Sequence, residues 1–148
     1  MPFRFEFDST HRLLRISLEG RIGDHEIASL RDEASSMVAE GRPNALIVDL
    51  SHTERYEISN ASILAMAQSA PALPGISIPV IIVAPAPHMF GASRVFQITS
   101  DERRPWLHVV KSEEEAYEML KVKSPAFEQV PTEAEKRKKL WSNSERNP

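Results

Sequence analysis

Phe3, Phe5 and Phe7 alternate with Arg4, Glu6 and Asp8, so the chain opens on a segment with one apolar and one charged face. Period 2 of this kind predicts a half-buried strand. Asp8-Ser9-Thr10-His11 reads as a turn, because short polar side chains bond the local backbone. Leu14, Ile16 and Leu18 then alternate with Arg15, Ser17 and Glu19, which predicts an antiparallel hairpin with one apolar face. After Gly20 the period lengthens. Ile27, Leu30, Ala34, Met37 and Val38 keep helical spacing, with Asp24 as the expected N-cap, Gly41 as the C-terminal stop and Pro43 beyond it. Ala45-Leu46-Ile47-Val48 has no polar break and predicts a strand covered on both faces.

Residues 51–58 read as a polar loop. A helix is expected from Ser59 to about Ala70, with Ile63, Met66 and Ala67 inward and Pro71, Pro74 and Gly75 ending it. Ile78 to Val83 is a second unbroken apolar run, hence another buried strand. Pro87 suits the first position of the next helix, where Met89, Ala92, Phe96 and Thr99 share a face. Trp106 to Val110 is the last expected strand. Ser112 and Glu115 form a capping box for a helix with Ala116, Met119 and Leu120 as its apolar stripe. The predicted order is β-β-α-β-α-β-α-β-α, complete by about residue 121. It describes an α/β fold with a mixed, mostly parallel five-stranded sheet, large enough to bury a core. Residues 122–148 form a C-terminal arm, in which Thr132 and Glu135 are a second capping box and predict a short helix over 133–141.

Composition narrows the classes of function. A chain of 148 residues accommodates one domain over 1–121 and the arm. The net charge of −3 offers no global field for nucleic acid or an anionic membrane. That total hides an asymmetry: the arm carries six Lys or Arg against four Asp or Glu, a net of +2, which leaves −5 on residues 1–121. An arm of opposite sign, anchored by Leu140 and Trp141, suggests docking or a homodimer. The absence of cysteine excludes thiol catalysis, thiolate metal sites and disulfides. No stretch approaches 18 apolar residues, and the opening residues lack the basic and apolar regions of a signal peptide. A cytoplasmic protein with no cofactor is expected.

In open α/β sheets, ligands gather beyond the carboxyl ends of the strands. Two loops qualify, Ser51 to Ser59 and Pro85 to Gly91. Neither contains a glycine-rich phosphate cradle. Ser59 has two readings at the start of its helix: an N-cap stapled by Ile58 and Ile63, or a phosphoacceptor whose phosphate meets free helical N–H groups. His11, His25, His52, His88 and His108 are dispersed and form no metal-ligand pair. His52 and His88 both follow predicted strands and either line one cleft or are solvated. Asp49, His88 and Ser59 form a triad only in outline, since the glycine-flanked elbow of a serine hydrolase is missing. Arg94, in the small-residue run Gly91-Ala92-Ser93, either binds an anion in a cleft or is solvated. Lys136-Arg137-Lys138-Lys139 follows Glu133 and Glu135, which weakens a nucleic-acid reading. Met89, Phe90, Val95 and Phe96, beside Ile63 and Met66, are either core or the wall of an apolar ligand site.

Val48-Asp49-Leu50-Ser51 closing a buried strand, followed after five residues by Glu57-Ile58-Ser59-Asn60, resembles the STAS family of sulfate transporters and anti-sigma-factor antagonists. Members carry Asp-Leu-Ser and then Asp-Ser-Ser-Gly at the helix start. Ile58 and Asn60 depart from that pattern. Ile82-Val83-Ala84-Pro85, the segment Phe90-Gly91-Ala92-Ser93-Arg94-Val95-Phe96-Gln97 and the ending Val109-Val110 with Ser112 to Ala116 are similar to its bacterial SpoIIAA-like, or STAS/SEC14-like, branch. The resemblance spans about residues 3–121. It implies a non-enzymatic regulatory module with a protein partner of kinase or anti-sigma type, Ser59 as phosphoacceptor and Glu57 as its acidic neighbour. The interaction face would gather Asp49, His52, Glu57, His88, Phe90 and Arg94. The related SEC14 branch implies instead an apolar or lipid-like ligand.

Overall fold

The computed structural model describes residues 3–68, 78–100, 103–132 and 135. Strands β1 (Phe3–Asp8) and β2 (Leu13–Leu18) form the expected hairpin, paired from Phe3 opposite Leu18 to Asp8 opposite Leu13. The turn between them is built on Asp8, whose Oδ1 accepts the Thr10 and His11 N–H groups at 2.9 and 3.3 Å. Its Oδ2 meets His11 Nδ1 at 2.8 Å. Burial raises the Asp8 pKa, but these hydrogen bonds and the His11 charge outweigh it and hold the carboxyl below its ordinary value.

The chain continues through β3 (Gly20–Gly23), α1 (Asp24–Gly41), β4 (Ala45–Asp49), β5 (Thr53–Glu57) and α2 (Asn60–Gln68). It then runs through β6 (Val80–Val83), α3 (Pro87–Ser100), β7 (Leu107–Val110), α4 (Glu113–Leu120) and β8 (Glu128–Val130). Among the described residues, six strands make one sheet in the order β7-β6-β4-β2-β1-β8, and β3 pairs with β5 in a second. In the large sheet only β1 runs against the others. The fold class is the expected one, a mixed and mostly parallel α/β sheet.

The five-stranded expectation undercounts the strands. Residues 53–57 lie in β5, not in the predicted loop. Its inward residues, Thr53 and Tyr56, are three apart, so no period 2 is visible. A register shift between Gly20 and Arg21 pairs Gly20 with Thr53 but Arg21 with Arg55, skipping Glu54. Gly20 turns the chain into β3 at φ 71°, a conformation open to glycine. β8 comes from the predicted arm and adds to β1 as an edge strand.

The helix ends also differ. Gly23, not Asp24, caps α1, because the Asp24 carboxylate is engaged elsewhere and Glu26 Oε2 holds the Gly23 N–H at 3.1 Å. The left-handed residue at its C-terminus is Arg42, φ 43°, rather than Gly41. Arg12 reaches across to donate to the Gly41 and Arg42 carbonyls, satisfying helix-end acceptors. Met119 is exposed rather than part of the α4 stripe; Ala116 is the buried anchor. Thr132 and Glu135 realise the second capping box, with Glu135 N–H on Thr132 Oγ1 at 3.1 Å. The helix predicted over 133–141, and the chain breakers Pro71, Pro74 and Gly75, lie outside the described residues, apart from Glu135.

Alternation along the strands divides the core. Ile47, Ile81, Val83 and Val110 pack under Ala116 of α4. Phe3, Phe5, Leu14, Ile16 and Leu18 face the opposite way, with Leu30, Met37 and Val38 of α1 and Met89 of α3. Among the described residues no helix is long and apolar enough to cross a membrane.

Candidate functional site

Ser59 occupies the turn between β5 and α2, and both readings of its position use the same geometry. Its Oγ accepts the Ser62 N–H at 3.1 Å, an N-cap contact. The Ser59 residue is exposed. Its hydroxyl donates to Asp24 Oδ2 at 2.9 Å, and its backbone N–H donates to Asp24 Oδ1 at 2.8 Å. Asp24 opens α1, so this clasp ties the starts of α1 and α2 together. The Ser59 N–H, the Ser59 hydroxyl and the Ser62 hydroxyl favour the charged carboxylate and hold the Asp24 pKa below its ordinary value, against some desolvation. Sequence spacing pointed to Ser59 but not to Asp24, which is 35 residues away and whose best local reading was a cap.

Around the clasp, Glu57 pairs with Arg21 and, at 2.8 Å, with Arg55. Arg21 also bonds Glu26 at 3.2 Å. Tyr56 stands edge-on to His88, with ring centroids 6.1 Å apart. Burial first, and then the Asp24 charge, raises the Tyr56 phenol pKa.

Beneath this corner lies an apolar cavity of about 270 Å³ between the sheet and helices α1, α2 and α3. Leu46, Val48, Val80 and Ile82 form its floor, Ile27, Leu30 and Ala34 one wall, and Ile63, Met66, Ala92 and Phe96 others. Tyr56 and Ile58 line it directly below the clasp. The size is just under the usual range of small-molecule sites. Two arginines, Arg31 and Arg104, also line it, and Arg104 is held in place by its neighbours. It is buried, lies 5.0 Å over the Phe96 ring and donates to the Met66 and Ala67 carbonyls at the end of α2. Burial, with the charges of Arg31 and Arg103, lowers its pKa from the ordinary value.

Of the apolar residues suspected from sequence, Ile63, Met66 and Phe96 line the cavity. Met89 is core, and Val95 is exposed. The floor escaped sequence reasoning because an unbroken apolar run reads the same whether both faces are packed or one faces a void.

The other site residues are dispersed. Asp49 is 2% exposed, on the α4 side of the sheet, where its Oδ1 accepts the Ser51 N–H at 2.9 Å. It faces Glu113, whose pKa burial and the Asp49 charge raise, while Arg15 opposes them. Arg15 bonds Glu6, Glu113 and Tyr117 and lies 4.0 Å over Phe127. Asp49, Ser51, His52, Arg15 and Glu113 share a polar cleft at the carboxyl ends of β4 and β6. His52 is exposed at its rim, and His88 is also exposed, away from that cleft and edge-on to Tyr56. Asp49, His88 and Ser59 do not assemble as a triad, since the Ser59 hydroxyl is spent on Asp24. Phe90 is half-buried under Lys111, whose Nζ is 5.2 Å from the ring centroid. Arg94 is exposed and bonds Gln97. Among the described residues no group of three His, Asp or Glu side chains is placed to hold a metal ion.

Solved structures match this arrangement of strands and helices, among them two forms of one protein. The anti-sigma factor antagonist SpoIIAA in its unphosphorylated form aligns with a TM-score of 0.51 and 22% identity, over 80% of this chain and 97% of that one. The phosphorylated form of SpoIIAA, a Bacillus cell-fate determinant, aligns with the same score and identity, over 80% and 98%. The fold is SpoIIAA-like. No protein-family model matches the chain, and no curated protein matches it by sequence. The parallel pairing of β3 with β5 sets Gly23 beside Glu57 and so brings the start of α2 beside the start of α1, which is why Ser59 and Asp24 meet.

Proposed function

We propose that the protein is a non-enzymatic regulatory module of STAS type, which engages a protein partner of kinase or anti-sigma class and is switched by phosphorylation of Ser59. The observation that carries this reading is the exposed Ser59 hydroxyl at the head of α2, oriented by Asp24. A phosphate there adds up to about two negative charges. It gains the helix N–H groups but loses the hydroxyl's bond to Asp24, because two anions cannot share that hydrogen bond, and the Ser59 backbone N–H contact is left to oppose their repulsion. The charge and shape of the surface formed by Asp24, Glu57 and Ser59 then change together. SpoIIAA, which shares the fold, is known in unphosphorylated and phosphorylated forms. The same reading places the protein in the cytoplasm as a homodimer that does not bind nucleic acid, with sedimentation velocity of the full chain as the check on self-association. It treats residues 1–121 as the STAS body and 122–148 as the arm.

The test is mass spectrometry of the protein isolated from its own host and after incubation with that host's anti-sigma-type kinases, with partner capture by wild type and Ser59→Asp. Phosphate on Ser59 and a changed set of partners are expected. Persistent absence of phosphate, with identical partners for both proteins, refutes the switch.

A second reading has its own observation, the apolar cavity. Its nearly unbroken aliphatic and aromatic lining suits a single-chain apolar or lipid-like ligand. Native mass spectrometry of protein purified without detergent is expected to reveal such a molecule. A ligand-free protein that also fails to take up decanoic acid refutes it.

A further inference from the structure

Resting on both readings above, we propose that the Ser59–Asp24 clasp controls the cavity, so that a phosphate on Ser59 weakens the protein's hold on a single-chain apolar ligand. The two features share their walls. Asp24 lies one helical turn before Ile27 and two before Leu30, and both side chains line the cavity from α1. Ile58 directly precedes Ser59, and Ile63 follows it by one turn of α2; both line the cavity from the other side. Tyr56, at the same joint, lines it too. The hydrogen bonds of 2.8 and 2.9 Å between Ser59 and Asp24 therefore draw together the two halves of one apolar wall.

The electrostatics run one way. With Ser59 unmodified, its N–H and O–H both donate to the Asp24 carboxylate and hold the two parts of the wall together. A phosphate on Ser59 is largely dianionic at neutral pH, so it cannot replace the hydroxyl's donation to Asp24 and repels the carboxylate more strongly than the remaining backbone N–H contact attracts it. The start of α1 then parts from the β5–α2 joint, water reaches Ile27, Ile58 and Ile63, and the ligand loses contacts on that side. Coupling between sites is reciprocal in binding free energy, so an occupied cavity in turn favours the unmodified, clasped form.

The ligand class follows from the space. About 270 Å³ is the room of roughly nine water molecules at ~30 Å³ each, which suits one aliphatic chain of about ten carbons rather than a two-chain lipid. Decanoic acid is therefore the natural probe.

The experiment measures N-phenyl-1-naphthylamine fluorescence and its displacement by decanoic acid, with wild type, Ser59→Ala, Ser59→Asp, Asp24→Ala and the pair Asp24→Asn with Ser59→Asp. Circular dichroism confirms that each is folded. Cavity filling by Ala92→Leu, or by Ala34→Leu from the other wall, is expected to abolish binding and so locate the probe. Ser59→Asp and Asp24→Ala should weaken decanoic acid at least about five-fold, the low end of ordinary allosteric coupling. Ser59→Ala, which keeps the backbone N–H contact, should fall between them and wild type. Asp24→Asn should restore affinity to Ser59→Asp, because the amide can donate to the new carboxylate. Equal affinities across the series, tighter binding by Ser59→Asp, or no rescue by the pair would overturn the coupling while leaving a ligand site standing. Failure of wild type to bind either probe removes the ligand reading and the coupling with it. Probe binding that survives both filling variants places the ligand elsewhere and has the same effect.

Discussion

Filling the cavity distinguishes a true void from a packed core by the sign of the stability change. Ala92 on α3 and Ala34 on α1 both face the 270 Å³ space. A fully enclosed void of that size would forgo ~6 kcal/mol of contact at about 24 cal/mol per Å³, and this half-open one forgoes less. Replacing either alanine by leucine adds about three buried carbons, worth ~2.4 kcal/mol at ~0.8 kcal/mol each. Ordering the longer side chain costs ~0.5–1 kcal/mol, which leaves a net gain of about 1–2 kcal/mol. For a chain of 148 residues each kcal/mol moves Tm by about 2–4 °C, so Ala92→Leu should raise Tm by about 2–8 °C. The assay is calorimetry on ligand-free protein, with Ala34→Leu as the independent variant. In a packed core the same insertion costs about 1–3 kcal/mol, so a fall in Tm for both variants refutes the cavity.

Ile47 is fully buried between β4 and α4, and Ile47→Ala should cost about 2–5 kcal/mol in urea unfolding. Asp8 has a folded pKa below its unfolded one, so its contribution is present above the ordinary carboxylate pKa and lost as pH falls through the folded value. Asp8→Asn should therefore lower Tm at pH 7, with the deficit shrinking in strong acid. Glu113 has the opposite shift: its favourable contribution is full below the ordinary glutamate pKa and lost as pH rises through its raised folded value. Glu113→Gln should flatten that part of the pH–Tm profile, and an unchanged profile would count against the Asp49–Glu113 contact. Ser112→Ala removes the hydroxyl that accepts the Glu115 N–H at 3.2 Å and should cost about 1 kcal/mol in thermal unfolding.

The elements legible in the sequence were those whose signal is local. Phe3, Phe5 and Phe7, or Leu14, Ile16 and Leu18, carry their period in neighbouring residues, and the unbroken runs at β4 and β6 mark strands covered on both faces. Ser59 and Ser112 were legible as caps because a cap is defined by the residues that follow it within one turn. Ser59 stood out further through its spacing from Asp49-Leu50-Ser51. β5 was hidden because its inward residues follow the register shift of a partner strand 33 residues earlier, not a period of their own.

The sequence by itself determined the α/β class, the hairpin, the order of most strands and helices, and the place of Ser59 at a helix start. Each follows from side-chain periodicity, or from a hydrogen bond made within a few residues. Only the tertiary structure decided that Asp24 grips Ser59 and that Asp49 turns away to Glu113. It also decided that Leu46, Val48, Val80 and Ile82 border a cavity and that Arg104 lines it. Those facts depend on which helix crosses which strand and on how far apart they come to rest. Hydrophobic pattern sets which face is inward, but it does not set how closely the facing elements fill the space between them.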